Sequence, residues 1–204
     1  AQVILSSRSP IKLEETQKEI EKETGRKVYT ILQLRLHPSI IALKKQIDEA
    51  PAGTKHEVDL KYITSRGHWY HTSWKGDLQK SGGIATNIGV HFFDMLIWIF
   101  GNVKENKVVE HTKVTASGKL ELEKASVNWM LSIDAETLPA DIKAAGKRTY
   151  RTLTINNQSI EFSDGFTELH TQSYQDIING NGFRLSDTKK AIETVHDIRN
   201  FFKK

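Results

Sequence analysis

Ser81-Gly82-Gly83-Ile84-Ala85-Thr86-Asn87-Ile88-Gly89-Val90-His91-Phe92-Phe93-Asp94 runs straight into Met95-Leu96-Ile97-Trp98-Ile99-Phe100-Gly101. The second half is apolar nearly all round, which predicts a buried helix over 87–100, closed by Gly101. Asn87 is a good N-cap residue. Gly82, Gly83 and Gly89 allow the backbone to come close to another group. After the first turn the helix has two polar members, His91 and Asp94. At spacing i, i+3 they share one side. With the helix opening at Asn87, His91 lies near the positive end of the dipole, which disfavours imidazolium. A neutral histidine beside a cleft can take a proton from a hydroxyl. The competing reading is a packing pair in which His91 and Asp94 satisfy each other.

Outward from this helix, the pattern changes on both sides. Downstream, Val108–Phe162 reads mostly as strands. Leu120 and Leu122 share one face, Val127, Trp129, Leu131 and Ile133 another, and Leu153, Ile155, Ile160 and Phe162 continue the alternation. Turns are expected at Ser117-Gly118, Asn156-Asn157 and Asp164-Gly165. Gln175–Asn179 reads as helix. Ser186 is expected to cap a final helix that puts Ala191, Ile192, Val195, Ile198 and Phe202 on one side. Upstream, Arg66–Gly83 is aromatic and charged without a period, and Glu57–Ser65 alternates as a strand. Pro38–Ile47 is a helix with Ile40, Ile41, Lys44 and Ile47 at helical spacing. Gln2–Leu5 and Val28–Leu36 read as strands around a Glu- and Lys-rich helix, Ile11–Thr24, giving one βαβ unit.

The expected fold is therefore α+β: an open, mostly antiparallel sheet with helices on one face, preceded by a βαβ remnant of a Rossmann domain. Residues 1–37 form the remnant and 38–204 a substrate-binding and oligomerising domain. Apolar alternation on the strands predicts a homo-oligomer built through the sheet face that the helices leave bare, with Trp129 or Leu131 buried there.

Composition narrows the chemistry. The chain has 204 residues, 26 % of them charged, and a formal charge of +4. The charges alternate rather than cluster, which does not favour nucleic acid. There is no cysteine, which excludes disulfides, thiolate nucleophiles and Cys-ligated metals. His111 and His170 stand isolated, so no metal site is expected. The apolar run Phe92–Phe100 contains Asp94 and is too short for a bilayer. These features suit a cytoplasmic protein. Asn157-Gln158-Ser159 formally matches a glycosylation acceptor but reads as a turn.

The stretch Ser81–Gly101 resembles the signature of the Gfo/Idh/MocA oxidoreductases, and Gly25–Lys204 is similar to their C-terminal portion. Ile31–Lys44, Tyr70–Asp77 and Gly82–Gly101 look most like the branch that oxidises UDP-N-acetylglucosaminuronate in lipopolysaccharide sugar synthesis. The resemblance implies an NAD-dependent dehydrogenase acting on the C3 hydroxyl of a UDP-N-acetyl-hexosaminuronate, with His91 as acid/base. It implies Asn87 and Thr86 at the sugar, and Gln33, Arg35 and His37 beside the substrate. Arg35 offers a fork for a carboxylate or phosphate. Lys75 and Tyr70, with Arg66 and Trp69, belong to a loop suited to phosphate and uracil.

Two parts of the family pattern are absent from this sequence. No glycine-rich turn follows a first strand, and Arg8-Ser9-Pro10 stands where the family has Glu-Lys-Pro. NAD binding by this chain alone is therefore expected to be weak. The competing function is a non-catalytic sugar-nucleotide-binding or assembly domain. A third, a dehydrogenase of free sugars or inositol, is disfavoured by the basic, aromatic loop.

Overall fold

The computed structural model describes residues 10–160 and 166–201. The predicted strand Gln2–Leu5, the Arg8-Ser9 positions, the turn at Asp164-Gly165, and Phe162 and Phe202 lie outside them.

Helix α1 (Pro10–Thr24) is followed by a 3-10 turn at Gln33–Leu36 and by α2 (Pro38–Glu49). Strand β1 (His56–Thr64) leads into short helices α3 (His68–Thr72) and α4 (Leu78–Ser81). The core helix α5 (Val90–Phe100) comes next, then β2 (Val103–His111), β3 (Thr115–Leu122) and β4 (Ala125–Ser132). After the short α6 (Ala140–Ala144) come β5 (Thr149–Ile155) and β6 (Gln158–Ile160), then α7 (Phe166–Ile178) and α8 (Leu185–Asn200). The six strands make one sheet in the order β2-β3-β4-β1-β5-β6. β1 and β4 are parallel, and every other pair is antiparallel. The expected open, mostly antiparallel sheet with helices is what forms. Its single parallel pair is possible because a long crossover separates β1 from β4.

The helices lie on one face of the sheet. Val127, Trp129 and Leu131 sit opposite Val58, Leu60 and Tyr62 in register, and Trp129 and Leu131 are buried against α5 and the turn before it. Phe93 meets Trp129 edge-on, with centroids 5.1 Å apart. The expectation that Trp129 or Leu131 would cover a subunit contact is thus overturned. The opposite face carries Glu57, Asp59, Lys61, Lys119 and Asn128, all exposed. It is polar over most of its length, because alternate residues of the strands are charged or amide side chains, with Ile63 and Met130 as apolar members of the same parity.

Several local expectations also change. Val28–Leu36 is not a strand: among the described residues it makes one bridge, Tyr29 to Arg184, and Thr30 N–H donates to Phe183 O at 2.8 Å. Among the described residues no strand lies alongside to complete a βαβ unit, and the apolar residues Leu32 and Leu34 are buried from a turn instead. Gly118 lies within β3, where a Cβ would come 2.7 Å from the Trp129 ring. The turn before β3 falls at 112–114, tied by Thr112 N–H to Thr115 O at 2.7 Å. Ser186 does not cap α8; Asp187 Oδ2 closes that first turn on the Arg184 N–H at 2.7 Å. On α2, Leu43 is buried and Ile41 exposed. Asn156 and Asn157 do form the expected turn, with φ of 49° and 66°, the signature of a tight hairpin between β5 and β6.

Leu78–Phe100 contains an 18-residue window with a mean hydropathy of 1.4, of which 61 % is buried within the protein. Gly82, at φ 80°, breaks that length, and the segment beyond it forms the core helix of the domain.

Candidate functional site

The core helix does not begin at Asn87. The chain is already helical at Gly83 and passes through a π-helical turn, Ala85–Gly89, before α5. π turns are rare and are frequent at functional sites. Asn87 therefore lies inside a helix rather than capping one. His91 is correspondingly removed from the helix start, and the dipole is not what keeps its ring neutral. Burial does so: it lowers the His91 pKa to about 4, with the neighbouring His170 as the second cause. His91 Nδ1 is buried and has no hydrogen-bond partner among the described residues. At neutral pH the ring is unprotonated.

The π turn is fixed by close contact. A Cβ on Gly89 would lie 2.7 Å from Leu131 Cδ1 and 2.8 Å from Phe93 Cε2. Asn87 Nδ2 donates to Tyr70 Oη at 3.0 Å, which ties α3 to the turn preceding His91. Thr86 Oγ1 donates back to Gly82 O at 3.0 Å. Thr86, Asn87, Tyr70 and His91 are thus held together.

Asp94 does not partner His91. Its carboxylate receives Nε and Nη2 of Arg35 at 2.7 and 2.6 Å, and Nη2 also donates to Asp187 O at 2.7 Å. Both side chains are buried, 6 % and 1 % exposed. Burial pushes the Asp94 carboxyl up, while the Arg35 guanidinium pulls it back down. This pair joins the Gln33–Leu36 turn to α5 and to the first turn of α8. Arg35 is expected from sequence at the substrate; the structure commits its fork to the protein. His37 is likewise engaged: it is buried, and its Nδ1 accepts the Ser39 N–H at 3.2 Å, capping α2. Gln33 is 8 % exposed, and its Oε1 is buried without a partner among the described residues, on a turn that packs beside α5 and α7.

Lys75 lies in a 3-10 turn, Trp74–Gly76, with its Nζ 5.9 Å from the Trp74 ring centroid. His170, on α7 and 79 positions downstream, acts electrostatically on His91, and nothing in local spacing signals it. The Arg35–Asp94 pair, 59 positions apart, is equally silent in the sequence. His111 packs against the glycine turn, its Nε2 3.3 Å from where a Gly83 Cβ would stand.

A dinucleotide's pyrophosphate needs an open backbone cradle at a helix N-terminus. Gly82-Gly83 has the backbone for one, with φ of 80° and 81°, but not the space. Thr86 fills one side, 2.7 Å from a Gly82 Cβ, and Leu78 the other, 2.9 Å from a Gly83 Cβ. This turn does not fit NAD.

Residues 44–132 match the family model described as the oxidoreductase family, C-terminal alpha/beta domain, GFO_IDH_MocA_C. That span runs from α2 through the π turn and α5 to the end of β4. It is a Gfo/Idh/MocA C-terminal domain. Among solved structures, the chain is similar to the WlbA (WbpB) dehydrogenase of Thermus thermophilus in complex with NAD and alpha-ketoglutarate. The identity is 46 % and the TM-score 0.87, over 93 % of this chain and 60 % of that one. The same Thermus protein in complex with NAD and UDP-GlcNAcA aligns at 44 % identity and TM-score 0.86, over 94 % and 61 % of the two chains. WlbA of Bordetella pertussis, at 14 % identity, shares the fold with a TM-score of 0.71 over 96 % and 68 %. The chain spans about 60 % of the length of the Thermus relatives.

Proposed function

We propose that this chain is the substrate-side part of an NAD-dependent dehydrogenase that oxidises the C3 hydroxyl of a UDP-N-acetyl-hexosaminuronate, with His91 as the base. The observation that carries the reading is His91 itself: a half-buried imidazole kept neutral by desolvation, two residues beyond a π turn that carries Asn87. The likeness to the Thermus dehydrogenase bound to UDP-GlcNAcA supports the substrate class.

The work asked of these residues is the proton half of the oxidation. Asn87, with Tyr70 behind it, and Thr86 orient the sugar. The C3 hydroxyl proton moves to the His91 ring as the C–O bond becomes a carbonyl. A nicotinamide would supply hydride acceptance when bound. Gln33 offers its carbonyl to the substrate. Arg35 and His37 act one step back, holding the elements that carry the site. In this reading residues 1–37 belong to the nucleotide-binding side and 38–204 to the substrate side, and the enzyme is cytoplasmic.

The test is NAD reduction with UDP-GlcNAcA in protein that spans the full length of the Thermus relatives. His91→Asn should lower kcat by ~100- to 10,000-fold, the usual range for general-base catalysis, with little change in substrate affinity. Near wild-type turnover in a folded variant would return His91 to a packing role and favour the non-catalytic reading. This chain alone should bind NAD weakly; micromolar affinity by calorimetry would contradict that.

We also propose self-association through the helix-free face, now on its polar character. Its exposed charges of both signs, Asp59, Lys61 and Lys119 among them, allow a self-complementary, salt-sensitive contact. A stable monomer by light scattering at micromolar concentration and low salt would refute it.

A further inference from the structure

Two Asn-Gly pairs, Asn179-Gly180 and Asn181-Gly182, lie between α7 and α8, and Asn179, Gly180 and Asn181 are exposed. An asparagine before glycine is open to attack on its own side-chain amide, because the glycine nitrogen has no Cβ beside it to crowd the approach. The fold demands both glycines. Gly180 takes φ 83° as the left-handed stop of α7. Its N–H donates to Ile177 O at 3.1 Å, and the Asn181 N–H to Asp176 O at 2.8 Å. At Gly182 the reason is space: a Cβ would lie 2.5 Å from Ile177 Cγ1 and 2.7 Å from Tyr29 Cδ1.

The two pairs are not equivalent. The Gly180 nitrogen is held in its bond to Ile177, and the Asn179 N–H, 3.0 Å from Gln175 O, ties that residue into the helix end. Asn181 follows the cap, and the Gly182 N–H has no acceptor among the described residues. Directly after this pair comes a clasp between distant parts of the chain. Thr30 N–H donates to Phe183 O at 2.8 Å, and Tyr29 bridges Arg184. Arg184 Nη2 donates to Glu21 Oε1 at 2.5 Å, and the Phe183 ring centroid stands 5.0 Å from the Arg35 guanidinium.

We propose that Asn181 is a site of spontaneous deamidation, at which an isoaspartate forms and loosens the Phe183-Arg184 clasp. The Gly182 nitrogen gives its proton to solvent base and attacks Asn181 Cγ. The side-chain amide nitrogen leaves as ammonia, and a succinimide ring closes. Water then opens the ring. Attack at the side-chain carbonyl gives aspartate; attack at the backbone carbonyl gives isoaspartate, with the main chain rerouted through Cβ. Nothing is oxidised or reduced, and water is the co-reactant. The isoaspartyl link lengthens the main chain by one carbon where Gly182 has no room to shift, so the displacement passes to Phe183 and Arg184.

The test holds this chain in mildly alkaline buffer, folded and in urea, and maps its peptides by fragmentation mass spectrometry. In the folded chain Asn181 should convert about tenfold faster than Asn179, because reaction at Asn179 first requires the Gly180 hydrogen bond and the helix end to open. In urea the two should convert at similar rates. Hydrogen exchange at the Thr30 N–H should rise in the isoaspartyl fraction. It should stay at the unreacted level in Asn181→Ser, which has no amide to lose, and in Asn181→Asp, which adds the charge without rerouting the main chain. Conversion led by Asn179 in the folded chain would overturn the site. So would an intact Asn181 after the time in which the urea-unfolded chain converts fully. Unchanged Thr30 exchange in the isoaspartyl fraction would overturn the effect on the clasp.

Discussion

Replacing Arg35 by Met keeps the length of the side chain and removes its charge. In the folded protein this leaves Asp94, 1 % exposed, with no cation, and Asp187 O without its 2.7 Å donor. Two charge-assisted bonds to Asp94 and one to a carbonyl are lost together. Removing one partner of a buried pair typically costs ~3–5 kcal/mol, because the remaining charge stays desolvated or must take up a proton. The double variant Arg35→Met/Asp94→Leu removes both charges and should recover a substantial part of that loss, since apolar replacement of a buried pair is often close to neutral. Urea unfolding of the four proteins, read as Cm at constant m, measures the cycle. A single variant within ~1 kcal/mol of wild type would show that the pair does not hold the Gln33–Leu36 turn to α5. It would also return Arg35 to the list of groups free to bind an anion.

Acid stability should carry the mark of His91. Its pKa is near 4 when folded and ~6.5 when unfolded, so the unfolded chain binds the proton first. Stability is then full above about pH 6.5 and falls as pH drops toward 4, by up to ~3 kcal/mol from this group. Pairing denaturant melts of wild type and His91→Asn across pH 4–8 checks it: equal slopes would mean that the ring titrates normally. Gly89→Ala should lower Tm, because the new methyl meets Leu131 and Phe93 at 2.7 and 2.8 Å. Overpacking of ~1–3 kcal/mol outweighs the ~1 kcal/mol that Ala gains in helix propensity, and a rise in Tm would refute this. Asn156→Val should destabilise by ~1–2 kcal/mol or more in urea, since a β-branched residue must hold φ 49° and the Glu57 N–H loses its side-chain acceptor at 3.0 Å. No change would mean that the hairpin turn rearranges freely.

Alternation made the sheet legible, and all-round apolarity made the core helix legible, because both periods follow from which side chains leave water. What escaped was long-range. A β-branched run such as Val28–Leu36 forms a strand only if a partner strand stands beside it, and what it meets far along the chain is the short stretch Phe183-Arg184. Gly118 reads as a turn residue, yet it lies in a strand because Trp129 needs the room. Asn87 has the composition of a cap, but the helix runs on through it by widening into a π turn that propensity does not encode. Of the candidate site, Asn87, Thr86 and His91 were proposed from one local motif and Tyr70 from the loop before it, both through likeness to a family. Arg35 was found as a residue and mistaken in role, because its burial is decided by Asp94 and Asp187. His170 carried no local signal at all.

These misreadings cluster where the protein departs from the rules that make a fold predictable. Most of α5 is packed to completion: Phe93, Met95, Leu96 and Phe100 have no exposure at all. At its beginning the pattern changes. The helix widens, His91 Nδ1 and Gln33 Oε1 are buried without partners, and the one nearby carboxylate on the helix is turned to Arg35. An unsatisfied buried polar atom costs ~1–3 kcal/mol, and Trp129 Nε1, packed against Phe93 of the same helix, is also without a partner among the described residues. Pairing His91 with Asp94 would have been the stabilising arrangement, but a carboxylate partner would have raised the pKa of the ring and favoured its charged form. Leaving it unpaired keeps it neutral well below pH 7 and free to accept a proton. The packed remainder of α5 then holds it still, as a positioned base requires.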